Sequence, residues 1–238
     1  MSEQHSLKQL PLAIWLPDGA SFDNYLAGAN AQLVDLLAHP DQHPESRFVF
    51  LWGASGVGKS HLLQAACHQM AGQGSVYLPM RQAAEFAPEM LEGMEQLALV
   101  VIDDLDAIAG DADWELALFN LYNRMRDLGS TRLLVAAEQP LASLGLKLPD
   151  LQSRLAWGGV YQLQSLTDQD KLIALQQRAH NRGFELPDEV GNYLLRHYQR
   201  SLGDLFVLLT RLDRVSLAEQ RRLTVPFVKS VIAESDGE

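Results

Sequence analysis

Apolar positions fall into two alternating rhythms through the first two-thirds of the chain and into one rhythm after that. Short, near-continuous apolar runs at Phe48–Trp52, Ser75–Leu78, Leu97–Asp103, Arg132–Ala137 and Val160–Leu163 predict buried strands. Between them, apolar residues three and four apart predict helices over Ser60–Met70, Gln82–Met94 and Asp113–Leu128. An earlier helix, from about Asn30 to Ala38, stops at Pro40. Strands apolar on both faces and separated by helices predict a parallel sheet covered on both sides. Beyond Leu166 the strand rhythm ends. Asp168–Arg182, Pro187–Gln199 and Leu202–Leu217 are helical in pattern, and Thr224 can cap a last helix with Pro226 in its first turn. The expected fold class is α/β, a five-stranded parallel sheet followed by a C-terminal α-helical subdomain of about seventy residues.

One motif sits where that alternation would use it. Gly53-Ala54-Ser55-Gly56-Val57-Gly58-Lys59-Ser60 matches G-x-x-x-x-G-K-[ST] and lies between a predicted strand and a predicted helix that opens at His61. Glycines permit positive φ, so consecutive N–H groups can converge on phosphate oxygens, and the helix N-terminus adds favourable potential for an anion. Gly53, Ser55, Gly56, Val57, Gly58, Lys59, Ser60 and His61 are therefore the expected nucleotide-binding residues, with Lys59 reaching the β- and γ-phosphates. Ser60 and Asp103 are the expected Mg2+ ligands, Asp103 through a water at the end of a buried strand. Asp104 is placed to orient or deprotonate the attacking water. Two acids at a strand end are common by themselves; downstream of a phosphate loop the functional reading prevails. Asp106 and Asp111 read as part of the solvated face that follows. Glu138, after the fourth strand, occupies a γ-phosphate sensor position or a surface ion pair. Arg154, before the fifth strand, is either a local ion pair or an arginine finger acting on a phosphoryl group held by a neighbouring subunit, which leaves homo-oligomerisation open.

Charge narrows the partners. Thirty acidic side chains against 19 basic ones among 238 residues give a net −11, and that field opposes the counterion-displacing contacts on which non-specific DNA binding depends. No direct specific DNA binding is expected. No apolar run approaches the ~20 residues of a membrane span, and the N-terminus carries no secretory pattern, so a cytoplasmic protein without membrane contact is expected. One cysteine, Cys67, excludes an internal disulfide and reads as a buried core thiol. His39 and His43 have helix-like spacing, but Pro40 intervenes and no third ligand is evident.

Several segments together resemble the AAA+ module of the bacterial initiator DnaA. They are Ser21-Phe22-Asp23-Asn24-Tyr25 with Gly28-Ala29-Asn30, the phosphate loop with His61-Leu62-Leu63, and Ile102-Asp103-Asp104-Leu105 with Ala109-Gly110. Leu186-Pro187-Asp188-Glu189-Val190 and Leu223-Thr224-Val225-Pro226-Phe227-Val228 complete the set, so that the resemblance runs from about residue 21 to residue 232. The DnaA pattern continues into a basic helix-turn-helix domain, whereas this sequence stops where that would begin. The closer match is to a stand-alone regulatory branch of the family. It is carried by Leu121-Tyr122-Asn123-Arg124, Arg132-Leu133-Leu134, Leu148–Arg154, Asp170-Lys171-Leu172 and Arg182–Pro187.

The resemblance implies a P-loop AAA+ core over residues 21–166, a helical lid over 167–238 and a clamp-binding segment over 1–20. It implies an adaptor that binds the DNA-loaded DNA polymerase III sliding clamp and stimulates ATP hydrolysis by DnaA, so limiting replication initiation. Gln9, Leu10 and Leu12 fit the Q-L-x-L clamp motif, an amide plus spaced aliphatics for a groove, with Pro11 lowering the ordering cost. Arg154 would be the finger presented to DnaA-bound ATP. The implied ligand is ADP or ATP with Mg2+. Related proteins place a second-sensor arginine in the lid, but the matching segment is Ser201-Leu202-Gly203-Asp204, with Arg200 adjacent, so weak or no autonomous turnover is expected. Trp15, Phe22 and Tyr25 could line a base pocket or simply pack. The alternative class is an autonomous ATPase of helicase-loader type; a small P-loop kinase would need an arginine-rich acceptor site that the lid lacks.

Overall fold

Five strands, β1 (Phe48–Trp52), β2 (Ser75–Pro79), β3 (Leu99–Asp103), β4 (Arg132–Ala137) and β5 (Gly159–Gln162), pair in parallel in the order β2-β3-β4-β1-β5. This computed structural model describes residues 19–198 and 202–233. Alternation within each strand divides the core. Val49, Leu51, Leu99, Val101, Leu134 and Ala136 face α1 (Ala31–Ala38) and α2 (Lys59–Gln69), where Leu36, Leu37, Leu62, Leu63 and Cys67 meet them. Phe50, Val100, Ile102, Leu133 and Val135 face the other way, onto Trp114, Leu118, Tyr122 and Met125 of α3 (Ala112–Leu128) and Leu151 and Leu155 of α4 (Pro149–Trp157). Both faces are thus apolar, which is why every residue of β3 and β4 is buried. Each large side chain so placed contributes about 1.5–3 kcal/mol.

The Gln82–Met94 segment departs from its pattern. It forms three 3-10 stretches, Met80–Glu85, Pro88–Leu91 and Met94–Gln96, instead of one helix. Pro88 lacks the N–H that a continuing helix requires and forces Ala87 into extended backbone, while Gly93 turns at φ 80°. The apolar spacing still places Met80, Leu91 and Met94 in the core. Conversely, α4 forms although its short apolar pattern did not announce it. Pro149 occupies its first turn, where a missing N–H costs nothing.

The C-terminal helices α5 (Asp168–Asn181), α6 (Asp188–His197), α7 (Leu202–Glu219) and α8 (Val225–Ala233) have their own core of Leu175, Val190, Leu194, Leu209, Phe227 and Val228. Thr167 and Asp170 form a reciprocal capping box at the start of α5, and Thr224 accepts the Phe227 N–H at 3.4 Å at the start of α8. Asn30 ties the chain ahead of β1 to the strand–lid connection: its Nδ2 donates to the Gln164 carbonyl at 3.0 Å and its Oδ1 accepts the Gln164 N–H at 2.8 Å. Among the described residues no helix is long and apolar enough to cross a membrane.

Candidate functional site

The C-terminal ends of parallel strands are where open α/β sheets gather ligands. β1 ends at Trp52 and the chain turns through Gly56 (φ 77°) and Gly58 (φ 101°) before Lys59 opens α2. At Gly58 a side chain is excluded twice, because a Cβ would sit in the left-handed region and 2.7 Å from Tyr25 Cε2. The Tyr25 hydroxyl donates to the Val57 carbonyl at 3.3 Å, and burial pushes its pKa up to about 12, so it remains a donor. Segment 20–21 is pinned over the same loop by α2, since His61 Nε2 donates to the Ser21 carbonyl at 3.0 Å and His68 Nδ1 to the Ala20 carbonyl at 2.8 Å. Tyr25 therefore packs on the loop, and Phe22 joins the core cluster beside α1 and α2.

Lys59 is 6% exposed, and its Nζ donates to the Gly53 carbonyl at 2.7 Å and the Ala54 carbonyl at 3.1 Å. The loop thus curls around its own ammonium and holds that cation at the mouth of an exposed helix N-terminus. Burial lowers the Lys59 pKa, opposed by the charges of Glu138, Asp103, Asp104 and Asp106. Asp103 is 1% exposed. Its Oδ2 accepts the Tyr77 hydroxyl at 2.7 Å and its Oδ1 the Asp104 N–H at 2.9 Å. Burial, then the Asp103 charge and hydrogen bond, push the Tyr77 hydroxyl well above its ordinary value, and Gln64 and Ser60 flank the same group. Ser60 and Asp103 are thus both at the Tyr77 hydroxyl. Among the described residues no group of three His, Cys, Asp or Glu side chains is placed to hold a metal ion.

Asp104 takes the left-handed conformation (φ 55°, ψ 49°), sparsely populated for a residue with a side chain. Burial and the neighbouring Asp103 raise its pKa, while Arg81 opposes the shift. Arg81, in the 3-10 stretch after β2, pairs through Nε with Asp104 Oδ2 at 3.0 Å and through a terminal nitrogen with Glu138 Oε1 at 2.8 Å. The Glu138 N–H is in turn held by Asp106 Oδ2 at 2.8 Å. Asp106 therefore belongs to the site's framework, and Asp111 caps α3 by accepting the N–H groups of Asp113 and Trp114. Neither is merely a solvated face, and Arg81 gave no signal in the sequence.

These groups line a cleft of about 1200 Å³ between the sheet and the helical unit. Its phosphate-loop side holds Ser55–His61, Arg81, Asp104 and Glu138. Its other side holds Leu166, Lys171, Ala174, Arg178, Leu202, Gly203, Asp204 and Phe206. An apolar patch from Tyr25, Leu26, Leu166 and Phe206 suits a base, and the loop with its buried cation suits phosphates. Gly203 lines the cleft without a side chain; Arg178, stacked at 5.4 Å over Phe206, is a lid cation that sequence reasoning missed. Arg200 lies outside the described residues, as do Gln9, Leu10, Leu12 and Trp15.

Arg154 does not line this cleft. It is in the last turn of α4, its guanidinium 5.5 Å from the ring centroid of Trp157, which is 73% exposed. The start of α4 is set by Glu115 of α3, 1% exposed, whose carboxylate accepts the N–H groups of Gly110, Lys147 and Leu148. Elsewhere, His39 and His43 share the Asp35 carboxylate at 2.9 and 3.3 Å, and Cys67 is buried with its thiol pKa pushed up to about 12.

Comparison with known proteins bears on the whole of this arrangement. A family model for the bacterial DnaA ATPase domain matches residues 16–162, and one for the lid domain of Hda matches residues 168–232. Among solved structures, domain III of the replication initiation protein DnaA from Thermotoga maritima superposes with a TM-score of 0.77 at 20% identity, covering 92% of this chain and 97% of that one. AMPPCP-bound DnaA from Aquifex aeolicus gives 0.69 at 20% identity, over 82% of this chain and 66% of that one. The RuvB Holliday junction branch migration motor of Thermotoga maritima gives 0.69 at 16% identity, over 90% and 72%. At these identities the solved structures speak for the P-loop AAA+ fold.

Proposed function

The chain belongs to the bacterial DnaA ATPase-domain family, and from that premise we propose that it is a nucleotide-bound adaptor that acts on ATP held by DnaA and is tethered to the sliding clamp. The observation that carries this reading is the succession of a DnaA ATPase core and an Hda lid along the chain. In this reading the cleft binds ADP or ATP. The loop N–H groups and Lys59 receive the phosphates, Tyr25 and Phe206 flank the base, and Ser60 with Asp103 hold Mg2+. When bound, the cation withdraws charge from phosphate oxygens. Asp104 holds or accepts a proton at the water facing the terminal phosphate.

Arg154 is the residue offered to DnaA. Its position away from the chain's own cleft, on a helix end beside an exposed tryptophan, suits a finger that acts on a neighbour's nucleotide. Residues 1–20 supply the tether through Gln9, Leu10 and Leu12, and residues 167–238 act as the lid. In a reconstituted assay, hydrolysis by DnaA–ATP is expected to depend on both this chain and DNA-loaded clamp. Arg154→Ala is expected to bind clamp normally and lose the stimulation, whereas Gln9→Ala with Leu10→Ala is expected to lose clamp binding first. Stimulation retained by Arg154→Ala would overturn the finger.

One observation favours a second reading, autonomous ATP turnover: Asp104 faces the cleft with its pKa raised, as a proton acceptor would. Sustained hydrolysis by the isolated chain, abolished in Asp104→Asn, would establish it.

A further inference from the structure

Carboxylates gather at the phosphate-loop end of the cleft, Asp104 and Glu138 in its lining and Asp103 and Asp106 behind them. Asp103, Asp104, Asp106 and Glu138 all act electrostatically on Lys59, the one cation inside the loop. A third phosphate must approach that lysine, so it enters a region with four formal negative charges already present. Arg81 is the cleft cation that pairs directly with the two that line it. It reaches across from the end of β2 to the ends of β3 and β4 and contacts Asp104 at 3.0 Å and Glu138 at 2.8 Å at once. The backbone at Glu138 is held, its N–H donating to Asp106 Oδ2 at 2.8 Å. The Asp104 backbone is held in the same way, its N–H donating to Asp103 Oδ1 at 2.9 Å. The guanidinium therefore bridges two carboxylates at the cleft wall whose backbones are held, while its own side chain remains 63% exposed and able to move.

We infer that Arg81 is a specificity-determining residue, a cation supplied by the chain itself that lowers the electrostatic cost of the third phosphate and so sets the preference between a nucleoside triphosphate and a diphosphate. The inference rests on the reading that the cleft takes an adenine nucleotide. It assigns to the β2 side of the cleft a charge that the lid segment around Gly203 does not supply through that residue's side chain. A diphosphate ends nearer the loop N–H groups and feels the acidic cluster less. The consequence of losing Arg81 is thus selective rather than general. The effect of one partly exposed charge contact is about fivefold in affinity, and it shrinks with salt.

The test is equilibrium binding of Mg2+–AMPPCP and Mg2+–ADP to the full chain at low ionic strength, with thermal unfolding as a check on folding. Arg81→Ala is expected to weaken AMPPCP about fivefold and ADP less than twofold. Glu138→Gln alone is expected to tighten AMPPCP. In the double variant, Glu138→Gln is expected to return most of the lost AMPPCP affinity, because the charge that Arg81 offset is gone. Equal losses for both nucleotides, no loss in Arg81→Ala, or a double variant no better than the single would overturn the role of Arg81. Failure of the unaltered chain to bind either nucleotide would overturn the nucleotide reading itself.

Discussion

The buried carboxylate of Glu115 accepts the Leu148 N–H at 2.7 Å and so connects the first turn of α3 to the N-cap of α4, the helix that carries Arg154 in its last turn. The same carboxylate takes the N–H groups of Gly110 and Lys147, which makes one side chain the joint of two loops. Removing it leaves three part-buried donors without their acceptor. Glu115→Ala is expected to destabilise the fold by about 3 kcal/mol, and Glu115→Gln by less, because its amide oxygen still accepts. Denaturant unfolding measures both. Equal stability of Glu115→Ala and the parent would show that water replaces the carboxylate.

Gly58 gives a sharper contrast between stability and binding. Its φ of 101° and the Tyr25 ring 2.7 Å from any added Cβ both penalise Gly58→Ala, and both distortions fall on the loop N–H groups that the nucleotide reading assigns to phosphate. Nucleotide affinity is expected to fall at least tenfold while the far side of the sheet keeps its hydrogen-exchange protection. Adding Tyr25→Phe removes only the hydroxyl contact, so it is expected to restore little.

Acid sensitivity has an identifiable source. Burial holds the His61 imidazole below its ordinary value near 6.5, its hydrogen bond to Ser21 opposes that shift, and the Arg178 charge adds to it. The unfolded chain takes up this proton more readily than the folded one. The stability His61 contributes is therefore complete above about 6.5 and is lost as the pH falls from there through the folded value. His61→Gln, which keeps a donor for the Ser21 carbonyl, is expected to flatten the decline of Tm between neutral pH and pH 5. Parallel declines in the two proteins would assign the effect to other groups.

Trp157 is exposed yet lies under the Arg154 guanidinium. A cation–π contact of this kind is worth about 0.5–1 kcal/mol. On the adaptor reading, Trp157→Ala is expected to reduce stimulation of DnaA hydrolysis about two- to fivefold with Tm unchanged, and Trp157→Phe to retain most of it. Loss of stability without loss of stimulation would make the ring a packing residue.

What the sequence disclosed follows from the range of the forces involved. β3 was legible because five consecutive buried residues have no other common explanation, and the phosphate loop because its chemistry is local and contiguous. Met80–Gln96 misled because a three-residue apolar spacing serves a chain of 3-10 turns as well as an α-helix; Pro88 was the signal that separates them. Glu115 and Arg81 were illegible for another reason. The distant partners are 32 and 33 residues away in one case and 23 and 57 in the other, and each occupies a position where an exposed charge is the ordinary expectation. The pairing of Asn30 with Gln164, 134 residues apart, was hidden in the same way.

The pinning of segment 20–21 over the phosphate loop sets a length scale for the chain. Gly19 and Ala20 lie on the wall of the cleft, and seven peptide links separate Gly19 from Leu12. At about 3.5 Å per link, a partner that grips residues 9–12 is confined within about 25 Å of the cleft, whatever path the intervening residues take. On the adaptor reading, a leash this short would make every later contact near the cleft effectively intramolecular, at local concentrations on the order of millimolar. Lengthening the leash between Leu12 and Gly19 would then dilute those contacts without altering a single residue that makes them.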